Sequence, residues 1–413
     1  MIVKTESFTL PQGSIFVGAS KSISNRILLL KHIFNSDVQI GNLSNSEDTQ
    51  YLKAALESTQ DTLYAGDGGT TARFLMAYAA TQNERLLIKG SERLESRPMG
   101  KLAQSLEKLG VQIEYLSAPN SLPMAIKGNG EISNFRMHID EPESSQFISA
   151  LLMLGAKKGA HISYSGEVSF SYIQLTLNIL SELYITCQVG EDEEGNVHVI
   201  AGPGAPIFPE WYVVENDWSS ASFWLGMVAQ SPKNTEIELV GLQLGSSQPD
   251  ANVINYFEML GVKVIDSEEG VIVKKVGNPE SNNLYFELSS TPDVFPILAV
   301  TCAAMGLKAS FGGLFSLVHK ESNRLETVAK GLGDLGYEVR HNSEDEFEIL
   351  GGKGEKKGQV IKCDKDHRIA MAFASMISLE GDLEIDEPEV VKKSYPEFWE
   401  HLKCYVRGVK IGE

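Results

Sequence analysis

Six segments of this chain share one plan, a polar or glycine-rich turn followed at once by an apolar run at helical spacing. They are Ser24-Asn-Arg-Ile-Leu-Leu-Leu30, Thr71-Ala-Arg-Phe-Leu-Met-Ala77, Ser145-Gln-Phe-Ile-Ser-Ala-Leu151, Ser220-Ala-Ser-Phe-Trp-Leu-Gly226, Asp293-Val-Phe-Pro-Ile-Leu-Ala299 and His367-Arg-Ile-Ala-Met-Ala-Phe373. Successive copies stand about 74 residues apart, except that the first interval is shorter by about 27. A second register repeats as well: Leu109-Gly-Val-Gln-Ile113, Leu260-Gly-Val-Lys-Val264 and Leu335-Gly-Tyr-Glu-Val339 each end an amphipathic run with glycine and open a strand. Alternating runs such as His161-Ile-Ser-Tyr-Ser165 and Glu236-Ile-Glu-Leu-Val240 supply further strands. The simplest count is six α/β units of roughly two helices and several strands each, three to a domain.

With 413 residues and 42% hydrophobic content, the chain is long enough for two domains, each with its own core. Its formal net charge of -19 and lack of a basic run argue against a nucleic-acid groove or an anionic membrane surface as partner. Met1-Ile-Val-Lys-Thr-Glu-Ser-Phe-Thr-Leu10 alternates like a strand and has no signal-peptide pattern, so a cytoplasmic location is expected. Cys187, Cys302, Cys363 and Cys404 are scattered, which favours buried free thiols over a disulfide framework or structural zinc. No histidine or acid pattern implies a catalytic metal, and no cofactor is expected.

Against that negative background, cations collect at the turns. Lys21, Ser22 and Arg26 flank the first apolar run, and Gly68, Gly69, Thr70 and Arg73 the second. Ser144, Ser145 and Gln146 open the third, Asp293 the fifth, and Asp366, His367 and Arg368 the sixth. Other turns add Arg97, Lys320, Glu321, Arg324 and Lys393. A helix N-terminus has unpaired N–H groups and a partial positive charge, so several such ends in one cleft would suit a substrate with phosphates and carboxylates. Any one of these residues taken alone reads as a solvated surface group, and Asp293 taken alone as a helix cap.

The ordered motifs Ser20-Lys-Ser-Ile-Ser-Asn-Arg26, Gly66-Asp-Gly-Gly-Thr-Thr-Ala-Arg73, Arg97-Pro-Met99, Ser144-Ser-Gln146, Asp217-Trp-Ser-Ser-Ala221, Lys320-Glu-Ser-Asn-Arg-Leu325, Asp366-His-Arg368 and Lys393-Ser-Tyr-Pro396 span almost the whole chain. In this order they resemble the signatures of the 5-enolpyruvylshikimate-3-phosphate synthase family. The resemblance implies two domains, each of three βαβαββ-type units in an inverse α/β barrel, with the active site in the interdomain cleft. It places residues 15–214 in one domain, and 1–14 with 215–413 in the other. It also implies transfer of the enolpyruvyl group of phosphoenolpyruvate to the 5-hydroxyl of shikimate 3-phosphate by a monomer. Closure of an open, ligand-free form by shikimate 3-phosphate is expected with it.

By the same resemblance, Ser22, Arg26, Ser144, Ser145, Gln146 and Ser169 hold shikimate 3-phosphate, with Tyr172 close by. Lys21, Gly69, Arg97, Arg324, Arg368 and Lys393 surround phosphoenolpyruvate. The reaction needs a base for the hydroxyl, an acid for the methylene carbon and cations for the departing phosphate. Asp293 is assigned to the hydroxyl and Glu321 to the methylene. Lys21 is assigned to charge stabilisation and proton shuttling, and Lys320 to tuning Glu321, while His367 is expected to orient Arg368. These roles leave open an exchange between Lys21 and Asp293.

Several positions depart from the family pattern. Asp67 stands in place of asparagine, Gly68 in place of alanine, Ser316 in place of an asparagine that contacts the shikimate phosphate, and Phe170-Ser171 in place of a lysine–proline pair. The short first interval implies a truncated unit near residues 50–66. Two rival readings follow. One is UDP-N-acetylglucosamine enolpyruvyl transferase, disfavoured because Ser22 replaces that family's asparagine and the loop 91–99 has no cysteine. The other is a non-catalytic anion-binding paralogue.

Overall fold

In a computed structural model, residues 1–10, 13–130, 132–142, 144–341, 343, 345–355, 358–379 and 381–412 are described. They form a mixed α/β protein of two compact units, Ala19–Val214 and Met1–Gly18 with Glu215–Glu413.

In the unit Ala19–Val214, two sheets have four strands. One runs in the order Thr62–Tyr64, Leu86–Lys89, Met124–Lys127, Gln112–Tyr115. The other runs Cys187–Glu191, Val197–Ala201, Ala160–Tyr164, Phe135–Ile139. In each, the first two strands in chain order are parallel and are joined by a helix, since a parallel pair needs a crossover connection, and the later strands return antiparallel. The third sheet has only Gln39–Gly41 and Trp211–Val213, paired in parallel. After the helix Glu47–Leu56 the chain enters Thr62–Tyr64, the first strand of the next sheet. The short repeat interval therefore corresponds to the two returning strands.

In the other unit all three sheets have four strands among the described residues. Two of them are completed from the start of the chain: Ile2–Thr9 lies between Gly381–Ile385 and Arg407–Gly412, and Ser14–Phe16 pairs in parallel with Glu236–Val240. That second pairing moves the first domain boundary from the expected residue 14 to Gly18/Ala19, because a paired strand cannot leave its sheet.

The six repeated apolar runs are the innermost helices of their units. Lys21–Ile33, Gly69–Ala80 and Ser145–Gly155 pack on one another in one unit. In the other, Phe295–Ala304 packs against both Trp218–Ala229 and His367–Ala374. Phe295 to Ala303 are all buried, as expected of a helix apolar on every side. The Trp218 and Phe295 helices approach at Gly226, where a Cβ would stand 2.8 Å from both Ile297 Cδ1 and Thr301 Oγ1. The amphipathic helices before Gly110, Gly261 and Gly336 end on those glycines, each at positive φ (86°, 77° and 92°), which is the left-handed C′ conformation inferred from the second register.

Cys302 and Cys363 are buried and Cys187 is half-buried, but Cys404 is exposed, so the expectation of buried thiols fails there. Burial pushes the Cys302 and Cys363 thiols up, which keeps them protonated and inert.

Candidate active site

Each unit brings the N-terminal turns of its inner helices together and sets charged side chains on them.

In the unit Ala19–Val214, Ser20 caps the first helix by accepting from Ile23 N at 3.5 Å, so Lys21 and Ser22 lie inside its first turn rather than before it. Lys21 Nζ donates to Asp48 Oδ2 at 3.0 Å. Asp48 is buried, and its carbonyl accepts from Thr71 Oγ1 of the Gly69 helix at 2.9 Å. Arg73 Nη1 donates to Gln146 Oε1 at 2.6 Å, and its Cζ lies 4.7 Å from the Phe147 ring centre, which joins the second and third inner helices. Ser144 caps the third helix, accepting from Gln146 N at 3.2 Å. Ser145, the first residue of that helix, and Ser169, which precedes the helix Phe170–Glu182, are both buried.

At Gly69 the helix start meets two guanidinium groups. A Cβ there would come within 2.6 Å of Arg73 Nη1 and 2.8 Å of Arg97 Nη1. Only glycine lets two guanidinium groups press against a helix N-terminus, and the result is a concentrated positive site. Asp67, two residues before Gly69, is bonded to Ser91.

Arg26 is bonded extensively within its own unit. Nε donates to Thr176 Oγ1 at 2.8 Å, Nη1 to Ser22 O at 2.9 Å, and Nη2 to Tyr172 O at 2.9 Å and Ser149 Oγ at 3.4 Å. Four of its five N–H groups are thereby used within the protein. Burial lowers its pKa to about 10, still well above neutrality. Arg26 thus ties the first inner helix to the third and to the Phe170 helix, with at most one N–H to offer a substrate.

In the other unit, Arg324 is the hub. Its side chain is 1% exposed, and it donates through Nε to Asp366 Oδ2 at 2.8 Å, through Nη1 to Asp293 Oδ1 at 2.8 Å and through Nη2 to Glu321 Oε2 at 3.0 Å. Asp366 caps the last inner helix through Arg368 N at 2.9 Å, and His367 lies buried behind it with Nδ1 3.9 Å from Oδ1. Arg368 Nη2 reaches Asp293 Oδ2 at 3.0 Å and Ser219 Oγ at 3.3 Å, so the N-terminal turns of all three inner helices meet through this one side chain. Lys320 Nζ lies 3.2 Å from Asp293 Oδ1, and Lys393 Nζ lies 2.8 Å from Glu321 Oε1.

Burial alone would raise the Asp293 pKa, but Arg368, Lys320 and Arg324 outweigh it and hold the carboxyl well below the usual range. Burial likewise works against the Arg324 charge, while Asp366, Asp293 and Glu321 more than restore it. Asp293 caps neither the short 3₁₀ turn Pro292–Val294 nor the Phe295 helix, so the cap reading of that residue is withdrawn. The Ser316 hydroxyl is buried with no hydrogen-bond partner among the described residues.

Of the residues named from sequence, Lys21, Ser22, Arg26, Gly69, Arg97, Ser144, Ser145, Gln146 and Ser169 belong to one unit. Asp293, Ser316, Lys320, Glu321, Arg324, Arg368 and Lys393 belong to the other. Sequence reasoning missed Asp48, which reads as an ordinary first-turn acid of the helix Glu47–Leu56. It missed Asp250 too, whose carboxylate bonds Ser219 and lies 4.0 Å from Arg368 Nη2. Among the described residues, no three histidine, cysteine or acidic side chains cluster to hold a metal, and no helix is long and apolar enough to cross a membrane.

Helix starts lined with cations in both units, one set bonded to three carboxylates, suit an α/β enzyme with small, multiply charged substrates. The chain belongs to the EPSP synthase (3-phosphoshikimate 1-carboxyvinyltransferase) family, whose family model matches residues 52–402. It is 36% identical over 409 residues to the 3-phosphoshikimate 1-carboxyvinyltransferase of Bacteroides fragilis (strain YCH46), covering 97% of each chain. It is 31% identical over 409 residues to the enzyme of that name from Thermococcus kodakarensis, covering 95% of this chain and 97% of the other. The fold is similar to that of an EPSP synthase structure from Acinetobacter baumannii, with a TM-score of 0.75 and 20% identity over 100% of this chain and 99% of that one.

Proposed function

We infer that this chain transfers the enolpyruvyl group of phosphoenolpyruvate to the 5-hydroxyl of shikimate 3-phosphate and releases phosphate, a step of the shikimate pathway. The observation that carries the reading is the arrangement of Asp293 and Glu321 on the two Nη atoms of one buried arginine, Arg324. The reaction needs two carboxyl groups of opposite role, and a shared rigid guanidinium fixes their separation.

In the proposed sequence, Asp293 takes the proton of the 5-hydroxyl as its oxygen bonds to C2 of phosphoenolpyruvate, and Glu321 delivers a proton to the methylene carbon. The tetrahedral adduct then loses a methyl proton back to Glu321 as the C2–O bond to phosphate breaks. Lys393 donates to Glu321 and is assigned to supply the proton that Glu321 first delivers. Asp293 with its pKa held down is a weak base, so its strength depends on Arg368 and Lys320 turning to the substrate anions. Lys21, Arg97 and the N–H groups of the Gly69 helix are assigned to the phosphoenolpyruvate anion. Ser22, Ser144, Ser145, Gln146, Ser169 and Ser316 are assigned to shikimate 3-phosphate, with Arg26 mainly holding the scaffold. We extend the reading to an inverse α/β barrel in each unit, supported by buried inner helices and the three sheets of each unit. A monomer and a cytoplasmic location complete the proposal.

The test is phosphate release from purified protein given both substrates, with Lys21→Ala and Asp293→Ala as controls. Release that requires both substrates and collapses in the variants supports the reading. Binding of shikimate 3-phosphate without release would favour an anion-binding paralogue.

A further inference from the structure

A cavity of about 630 Å³ opens in the unit Ala19–Val214, away from the helix N-termini described above. Phe34, the C-cap of the Lys21 helix, lines it, as do Lys157 and Lys158, which follow the end of the Ser145 helix. Gly204, Ala205, Pro206 and Phe208 complete the lining of what is an open-mouthed cavity. The same lining segments lead into Gln39–Gly41 and Trp211–Val213, so the cavity sits beside the two-stranded sheet, the one with no returning strands.

We propose that this cavity is a second ligand site, distinct from the catalytic residues, for a small ring-bearing carboxylate. Its volume is that of an ordinary small-molecule pocket. The Phe34 and Phe208 rings stand 6.3 Å apart at 61°, an edge-to-face pair against which a third flat ring packs favourably. Two lysines border it and no aspartate or glutamate is among its described lining residues, in a chain of net charge -19. The ends of two helices point their negative poles toward this region, so the lysines both offset those poles and select an anion. A ligand here would touch the far end of the helix that carries Lys21, about 20 Å from its first turn at 1.5 Å per residue.

The experiment is calorimetric titration of the whole protein with 2-naphthoate, in the presence and absence of saturating shikimate 3-phosphate. Binding is expected in both conditions. It should weaken at least about tenfold in the double variant Lys157→Glu/Lys158→Glu and for the uncharged probe 2-naphthalenemethanol. Ala205→Trp, a substitution on the exposed lining that fills the cavity, should abolish it and serves as the deciding variant if the charge reversal does not fold. Equal affinity in the variants, displacement by shikimate 3-phosphate, or no heat up to about 10 mM probe would each overturn the proposal.

Discussion

Arg324 and Asp366 form an ion pair that solvent does not reach, with Nε 2.8 Å from Oδ2 and side chains 1% and 0% exposed. The same carboxylate accepts from the Arg368 amide and from Ser322 Oγ, so one aspartate both caps a helix and holds the arginine that bonds Asp293 and Glu321. Replacing it separates the two roles.

Asp366→Asn keeps an effective N-cap and removes the charge. Arg324 retains Asp293 and Glu321, so the expected loss is about 2–3 kcal/mol, short of the roughly 3–5 seen when a buried ion loses its only partner. Urea unfolding reads this directly. An unchanged midpoint would mean that Asp366 acts as a cap alone.

Gly69→Ala sets a methyl group against Arg73 and Arg97. Relief requires both guanidinium groups to give way, and Arg73 is tied to Gln146 and the Phe147 ring, so most of the movement falls to Arg97. The KM for phosphoenolpyruvate should rise by about tenfold or more, in line with an overpacking cost of about 1–3 kcal/mol, while shikimate 3-phosphate affinity changes little. Equal losses for both substrates would sink the idea that the tight turn serves one of them.

Glu321→Gln removes the group assigned to protonate the methylene carbon but preserves its shape. A fall in kcat of about 10² to 10⁴ is expected, with shikimate 3-phosphate binding by calorimetry within about threefold of the parent. Retained turnover would transfer the acid role elsewhere, with Lys21 the first candidate.

Lys275 is buried and donates to Leu260 O at 2.7 Å, capping the end of the helix Val253–Met259. Burial lowers its pKa to about 8, below the unfolded value near 10.4. Between those values the unfolded chain binds more protons, so stability rises with pH there, and the burial penalty is fully present below about pH 8. Compared with Lys275→Met, the parent protein should gain stability from pH 8 to pH 10 in thermal melts. Parallel curves would show that the lysine keeps its ordinary pKa.

The inner helices were legible in the sequence because their apolar runs recur and each opens on a polar turn. Gly110, Gly261 and Gly336 were legible for a related reason, since a left-handed helix end selects glycine whatever lies around it. The site was readable as a set of residue types at helix starts. Asp48 was not, because its importance comes from Lys21 across 27 positions and from Thr71 across 23. Lys320 read as the neighbour of Glu321 in the chain, yet the fold sets it against Asp293.

Periodicity and capping are local, so the chain's units, their helix starts and the presence of an anion chemistry follow from residues within a few positions of one another. Three matters needed the tertiary structure. Ser14–Phe16 and Trp211–Val213 complete sheets far from their sequence neighbours, since backbone hydrogen bonding depends on which edge is near rather than which residue is next. The charge of Arg26 is directed at hydroxyl and carbonyl oxygens, whereas that of Arg324 is directed into three carboxylates, although both are arginines near a helix start. And the carboxyl of Asp293 is held below its usual range only because desolvation is overcome by cations from two distant segments, Lys320 with Arg324 and Arg368, a balance that no one stretch of sequence contains.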